Sequence, residues 1–202
     1  MPTLYDIKPA FQNLLRPAAS ALVKFGATAN MVTIGAALIS IAAAILIACF
    51  HAHPSIFWLM PAVLFLRMAL NAIDGMMARE FGQKSVLGMY LNELTDAVCD
   101  AALILPFALL PQFPAWGVVL FALLAVLTEY AGALGVMAGG ARRYDGPMGK
   151  SDRALALGIV SALLASGLTL GAIGVLLFPA FSALCALTIV NRIRAGMKGP
   201  AA

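Results

Sequence analysis

Charge is scarce in this chain of 202 residues. Asp, Glu, Lys and Arg make up 11% of it, against 62% hydrophobic residues. Soluble domains carry about 25% charged and about 45–50% apolar residues, so a disordered tail and a soluble nucleic-acid binder are both excluded. Cysteine is sparse too. Cys49, Cys99 and Cys185 lie far apart inside apolar runs, with no CxxC or Cys/His spacing. A secreted disulfide scaffold is thereby excluded, and the three read as small buried hydrophobes. The only histidines, His51 and His53, stand beside Pro54. They read as a solvated turn, with a metal pair as the alternative.

What the chain does have is apolar sequence of membrane-spanning length, about 20 residues per crossing. Six stretches qualify: 31–50, 55–73, 86–110, 117–138, 154–170 and 173–189. Trp116 falls where an interfacial aromatic belongs. Of the 13 Lys and Arg, all but Arg67 fall in one set of alternate segments. Lys8, Arg16 and Lys24 precede the first stretch; Arg79 and Lys84 follow the second. Arg142, Arg143, Lys150 and Arg153 follow the fourth, and Arg192, Arg194 and Lys198 follow the sixth. Basic residues gather on the cytoplasmic side. The expectation is an all-α integral membrane protein of a bacterial-type inner membrane: a six-transmembrane-helix bundle with both termini cytoplasmic. The net charge of +4 then reflects basic loops against an anionic leaflet, not a nucleic-acid partner. Asp6, Lys8, Arg16 and Lys24 precede the first long apolar run, so no cleavable signal peptide is expected.

Leu4, Ile7, Phe11, Leu14, Leu15, Ala18, Leu22 and Phe25 recur at roughly helical spacing among Lys8, Gln12, Arg16 and Lys24. That pattern fits an amphipathic helix lying on the inner leaflet, or one that only packs against the bundle. Pro9 and Pro17 are expected to break or bend it. The domain plan is a cytoplasmic amphipathic segment over 1–28, a transmembrane domain over 29–198 and a tail over 199–202.

The acids fall in an unusual place. An Asp at the centre of a spanning helix costs about 2.5–3.5 kcal/mol on insertion scales, yet Glu93, Asp96 and Asp100 crowd one stretch and Asp74 ends the one before. Asn92, Asp96 and Asp100 share a face by their i, i+4, i+8 spacing, and Asn71 and Asp74 share another. Carboxylates gathered this way repel unless a cation sits between them or some are protonated. All-oxygen ligation suits Mg²⁺, Mn²⁺ or Ca²⁺. The alternative is pairing with Arg67, Arg79 or Lys84. Glu129, inside the fourth stretch, has no evident partner.

At these residues the sequence resembles a known family. Asn71, Asp74-Gly75, Ala78-Arg79, Gly88, Asn92 and Asp96 resemble the signature of the CDP-alcohol phosphotransferases, Asp-x2-Asp-Gly-x2-Ala-Arg-x8-Gly-x3-Asp-x3-Asp. All spacings are kept, and Asn71 and Asn92 replace the first and third aspartates. Gly26-Ala-Thr28-Ala-Asn30-Met-Val-Thr33 is similar to the family's Gly-x-Thr-Pro-Asn-x-x-Thr, with Ala29 in place of the proline.

The resemblance implies a divalent-metal-dependent transferase. It would move a substituted phosphate from a CDP-linked lipid such as CDP-diacylglycerol to an alcohol, releasing CMP, in phospholipid biosynthesis. It further implies that Asn71, Asp74, Asn92 and Asp96 hold Mg²⁺ or Mn²⁺, with Asp100 one turn on, or Glu93 if the helix turns favourably, able to restore a charge. Asp74, Gly75, Ala78, Arg79 and Gly88 would meet the CDP group, and Asp96 would take the acceptor's proton. Two asparagines lower the formal ligand charge from four negative to two, which favours fewer bound ions. It also leaves open a catalytically impaired member that binds a CDP-lipid or a partner enzyme. Arg67, four residues before Asn71, is offered as that residue's partner. The loop with Arg142, Arg143, Lys150 and Arg153 either receives a phosphorylated acceptor or only follows the positive-inside pattern. Gly149-Lys150-Ser151 resembles the Gly-Lys stretch of glycerophosphate-using members. Gly132, Gly135 and Gly139 suggest close helix approach, within the bundle or across a homodimer.

Overall fold

Ala29–Cys49 carries no charged side chain and folds as one unbroken helix. The computed structural model describes residues 4–198, with side chains from residue 10 onward. The expectations placed on the side chains of Leu4, Ile7 and Lys8, and on the tail 199–202, lie outside those described residues. Among the described residues every regular element is helical. In chain order these are α1 (Leu4–Lys24), α2 (Ala29–Cys49), α3 (Leu59–Glu80), α4 (Val86–Ile104), α5 (Ala115–Met137), α6 (Lys150–Ala165) and α7 (Gly171–Met197). Short 3-10 turns occupy Pro54–Trp58 and Leu105–Leu109.

Four of the helical stretches are long and apolar enough to cross a membrane: Ala29–Cys49, Pro54–Glu80, Ala115–Met137 and Gly171–Met197. The chain is an integral membrane protein. Two of the six expected crossings fall short, for different reasons. α4 has 19 residues but carries Glu93, Asp96 and Asp100. α6 has only 16 residues, about 24 Å at 1.5 Å per residue. Three expected boundaries also move. The 86–110 stretch leaves α-geometry after Ile104, because Pro106 has no N–H to continue the ladder. The 154–170 stretch ends at Ala165, where Gly167 turns the chain at φ +79°. The last helix runs past 189 to Met197 and carries Arg192 into the interior.

By its contacts the chain divides into two units, one of Met1–Ser40 with Val63–Asp96 and one of Ile41–Ala62 with Ala97–Ala202. In the first, Ala19, Ala29, Val32, Ile73, Met76 and Met77 form a buried core, with Leu15, Leu22, Val23 and Leu70 packed on it. α1 is unbroken through Pro17, so of the expected break or bend the break does not occur. Burial of its Leu15-Ala19-Leu22-Val23 face offsets the proline's cost of about 3 kcal/mol. Leu14 and Phe25 remain 75% and 89% exposed, so α1 keeps apolar groups outside the core as well. Its C-terminus closes on Gly26 at φ +82°. Gly26 N–H donates to the Val23 carbonyl and Ala27 N–H to that of Leu22, a pairing that needs the left-handed conformation glycine adopts freely. Thr28 then caps α2 by accepting from Met31 N–H at 3.3 Å. The Gln83 side chain accepts from Ala29 N–H at 2.7 Å and ties the start of α2 to the segment after α3. Arg16 and Glu80 form a two-pronged pair at 2.9 and 3.1 Å. Both are half-exposed, so the pair orients α1 more than it stabilises it.

In the second unit α5 packs along α7, around Phe107, Phe113, Phe121, Phe178 and Phe181 with ring centroids 5.0 to 6.0 Å apart. Pro179 lies inside α7. Its ring is accommodated because Gly117 on α5 has no side chain: a Cβ there would stand 3.1 Å from Pro179 Cδ.

Candidate functional site

The first unit assembles the signature. Asp74 lies buried on α3, and its Oδ2 accepts from the Thr33 hydroxyl of α2 at 2.7 Å. Thr33 Oγ1 also reaches the Ala29 carbonyl at 3.1 Å, so a hydroxyl fixed by its own helix turn orients the carboxylate. One turn earlier on α3, Asn71 Nδ2 donates to Asp96 Oδ1 of α4 at 3.3 Å. Arg67, one turn before that and buried, donates from Nη2 to the same oxygen at 3.0 Å and to the Asp96 carbonyl at 3.1 Å. The sequence had offered Arg67 to Asn71 and, as the alternative to a cation, to the carboxylates. The geometry gives both to Asp96, because residues four apart on α3 point the same way toward α4.

The glycines sit at tight approaches. A Cβ on Gly88 would lie 2.7 Å from Asn30 Oδ1 and 3.0 Å from Ser85 Oγ. Its bareness thus admits Asn30 of the α2 start, where the sequence reading had expected only a nucleotide. A Cβ on Gly75 would lie 3.1 Å from the Arg79 guanidinium, which folds back over it.

The donor set at these positions, two carboxylates and two amide oxygens, fits a hard divalent cation. Among the described residues no three His, Cys, Asp or Glu side chains gather closely enough to hold an ion by themselves. The amides of Asn71 and Asn92 would therefore have to contribute. Asp100, expected as a further ligand, has another partner. Its Oδ2 accepts from Arg153 Nη2 at 2.8 Å.

That pair opens the buried ionic network of the second unit. Arg153, 1% exposed, also donates from Nη2 to Glu129 Oε1 at 2.9 Å, and from Nη1 to Thr128 Oγ1 and the Met148 carbonyl. Arg142 Nη2 reaches Glu129 Oε2 at 2.9 Å, and its guanidinium lies 5.5 Å from the Tyr144 ring centroid. Burial holds the Arg142 pKa below its ordinary value. Arg192 donates to the Thr128 carbonyl and stands 3.6 Å from Glu129 Oε1. Glu129, unexplained in the sequence, is the centre of three guanidiniums. Of the four basic candidates for the acceptor, Arg142 and Arg153 are thus committed to this network. Arg143 pairs with Asp145 at 3.1 Å, and Lys150 begins α6. Gly149 N–H donates to Asp152 Oδ2 at 3.0 Å, capping that helix.

The glycine stripe on α5 has a specific purpose. Gly139, at φ +84°, turns the chain back, and Arg143 N–H donates to the Gly132 carbonyl at 3.1 Å. A Cβ at Gly132 would lie 2.7 Å from the Arg143 carbonyl, and one at Gly135 2.8 Å from that of Ala141. The close approach is by the 138–143 loop along α5. Gly132→Val is therefore expected to displace the loop and with it Arg142. A drop of several degrees in melting temperature in detergent checks this. A melt equal to wild type would mean the loop yields freely.

Arg192 and Thr33 escaped the sequence reading. Arg192 counted as one of several tail cations, and only the continuation of α7 to Met197 puts it inside. Thr33 had a signal in its motif position. Its partner could not be read, since Asp74 is 41 residues away.

Comparison with known proteins gives a consistent result. Residues 26–190 match the model of the CDP-alcohol phosphatidyltransferase family. The inner membrane protein YnbA of Escherichia coli strain K12 is 49% identical over 157 residues, 78% of either chain. Crystal structures of Mycobacterium tuberculosis phosphatidylinositol phosphate synthase (PgsA1) share the fold at 19% identity. The form with CDP-DAG bound superposes with a TM-score of 0.74, covering 91% of this chain and 94% of that one. The form with manganese and citrate gives 0.75, covering 91% and 88%.

Proposed function

The chain belongs to the CDP-alcohol phosphatidyltransferase family, and from that premise we propose that it transfers a phosphatidyl group from CDP-diacylglycerol to an alcohol and releases CMP. The observation that carries this is the treatment of the two surviving aspartates. Asp74, buried, is oriented by Thr33, and Asp96, half-buried, is held by Arg67 and Asn71. Carboxylates within a spanning helix are costly, and a chain with no use for them has no reason to position each so closely. The PgsA1 structures, one with CDP-DAG and one with manganese, agree with this donor and with a divalent ion.

Asn71, Asp74, Asn92 and Asp96 would hold Mg²⁺ or Mn²⁺, which when bound supplies positive charge to the donor's pyrophosphate. Arg79, at the end of α3 beside Gly75, offers a guanidinium to the same phosphates. Asp96 accepts the proton of the incoming hydroxyl, which requires an approach to about 3 Å. The new bond joins the acceptor oxygen to the lipid-side phosphorus, the bond from that phosphorus to CMP breaks, and CMP leaves with the electron pair. Positioning and charge stabilisation supply most of the acceleration in such a step.

Six crossings with both termini in the cytoplasm fit the placement of the basic residues. On this reading α4 crosses despite its acids, and α6 crosses as a short helix. α1, with Leu14 and Phe25 outward, lies on the inner leaflet. The acceptor is read as anionic, met by Arg143 and Lys150 of the basic loop, while Arg142 and Arg153 hold Glu129 and Asp100.

Purified protein with CDP-diacylglycerol, Mg²⁺ or Mn²⁺ and a panel of alcohols, phosphorylated ones included, tests the proposal through CMP release. Release with one acceptor class supports it. No release with any acceptor, together with thermal stabilisation by CDP-diacylglycerol, supports the binder that Asn71 and Asn92 would permit.

A further inference from the structure

Resting on that reading, we propose that Arg67 and Asn71 stand in for a second divalent cation at Asp96, so that the site takes one ion per chain. The argument begins with which end of Asn71 faces the carboxylate. Its amide nitrogen lies 3.3 Å from Asp96 Oδ1. An aspartate in its place would set two carboxylate oxygens against each other at that distance, and like charges so close require a cation between them. The amide removes that need by donating a proton where the carboxylate would repel.

Arg67 completes the substitution. Its guanidinium is buried and reaches both the side chain and the carbonyl of Asp96 from a single nitrogen, at 3.0 and 3.1 Å. Arginine stays charged under all ordinary conditions, so the positive charge is permanent and covalently tethered. The sequence shows the same economy. Of the four motif positions only Asp74 and Asp96 bring charge, too little for two divalent ions beside a fixed guanidinium. Asp74 takes its donor from Thr33, a neutral hydroxyl on another helix. Asp96 thus has a positive charge supplied from within the protein. Arg67 is a positioning residue acting through Asp96.

Counting bound Mn²⁺ by the loss of free-ion EPR signal tests this without reference to turnover. Wild type is expected to bind one Mn²⁺ per chain, with no exchange coupling between ions, and Arg67→Lys to do the same. Arg67→Met/Asn71→Asp/Asn92→Asp is expected to bind two, with a coupled signal. Asn71→Asp/Asn92→Asp with Arg67 retained is expected to bind the second ion at least tenfold more weakly than the triple variant. Two ions in wild type would overturn the inference, as would one ion in a triple variant whose melting temperature matches wild type. CMP release by the same wild-type preparation separates this from the transferase reading. Release with two ions bound sinks only the single-ion inference, whereas one ion without release sinks only the transferase.

Discussion

Arg153→Leu is expected to destabilise the protein by about 3–5 kcal/mol, the usual cost of removing one partner from a buried ionic group. The size follows from what is left behind. Arg153 bridges Asp100 and Glu129 through Nη2, and its Nη1 satisfies Thr128 and the Met148 carbonyl. All three side chains are buried. Without the guanidinium, Asp100 loses a charged donor at 2.8 Å and the start of α6 loses its tie to α5. Unfolding in mixed micelles, followed by circular dichroism, measures the loss. Arg153→Lys should recover part of it, since an ammonium keeps the charge but cannot span both carboxylates and the Thr128–Met148 acceptors in one plane. A cycle with Asp100→Leu isolates the pair. Additive single losses would show that Asp100 and Arg153 do not act together.

Asp96→Asn is expected to lower CMP release by about two to four orders of magnitude, the range for removal of a positioned general base. The substitution keeps the shape of the side chain and an amide oxygen for Arg67, but it leaves that buried guanidinium without its counter-charge, so the melting temperature is measured beside turnover to separate lost chemistry from lost fold. Thermal stabilisation by CDP-diacylglycerol should persist, because Asp74, Arg79 and Gly75 remain. The split between lost turnover and retained binding is the readout. Turnover within tenfold of wild type would remove Asp96 from the chemistry. Loss of lipid binding in parallel would place it in donor recognition only.

Much of this was written along the chain. Alternation of basic and non-basic segments, apolar runs of crossing length and the register from Asn71 to Asp96 are one-dimensional signals, and a helix converts spacing into faces without further information. That is why the α3 and α4 positions were legible. Pro17 does not end α1, because propensity is local and the buried face of the helix outweighs it. Pro106 was passed over inside an apolar run, although the missing N–H of proline marks where α4 ends.

The sequence alone determined that this is a helical membrane protein of the CDP-alcohol phosphatidyltransferase family with two of its four motif carboxylates neutralised. Only the tertiary structure decided who partners whom. Arg67 pairs with Asp96, Asp100 with Arg153, and Arg142, Arg153 and Arg192 gather on Glu129. The physical reason is that a charge in an apolar interior binds whichever opposite charge packing brings within about 3 Å, since leaving it alone is so costly. These partners lie 24 to 63 residues apart, except Arg142 and Glu129 at 13, and that choice is made by helix packing that no local pattern encodes.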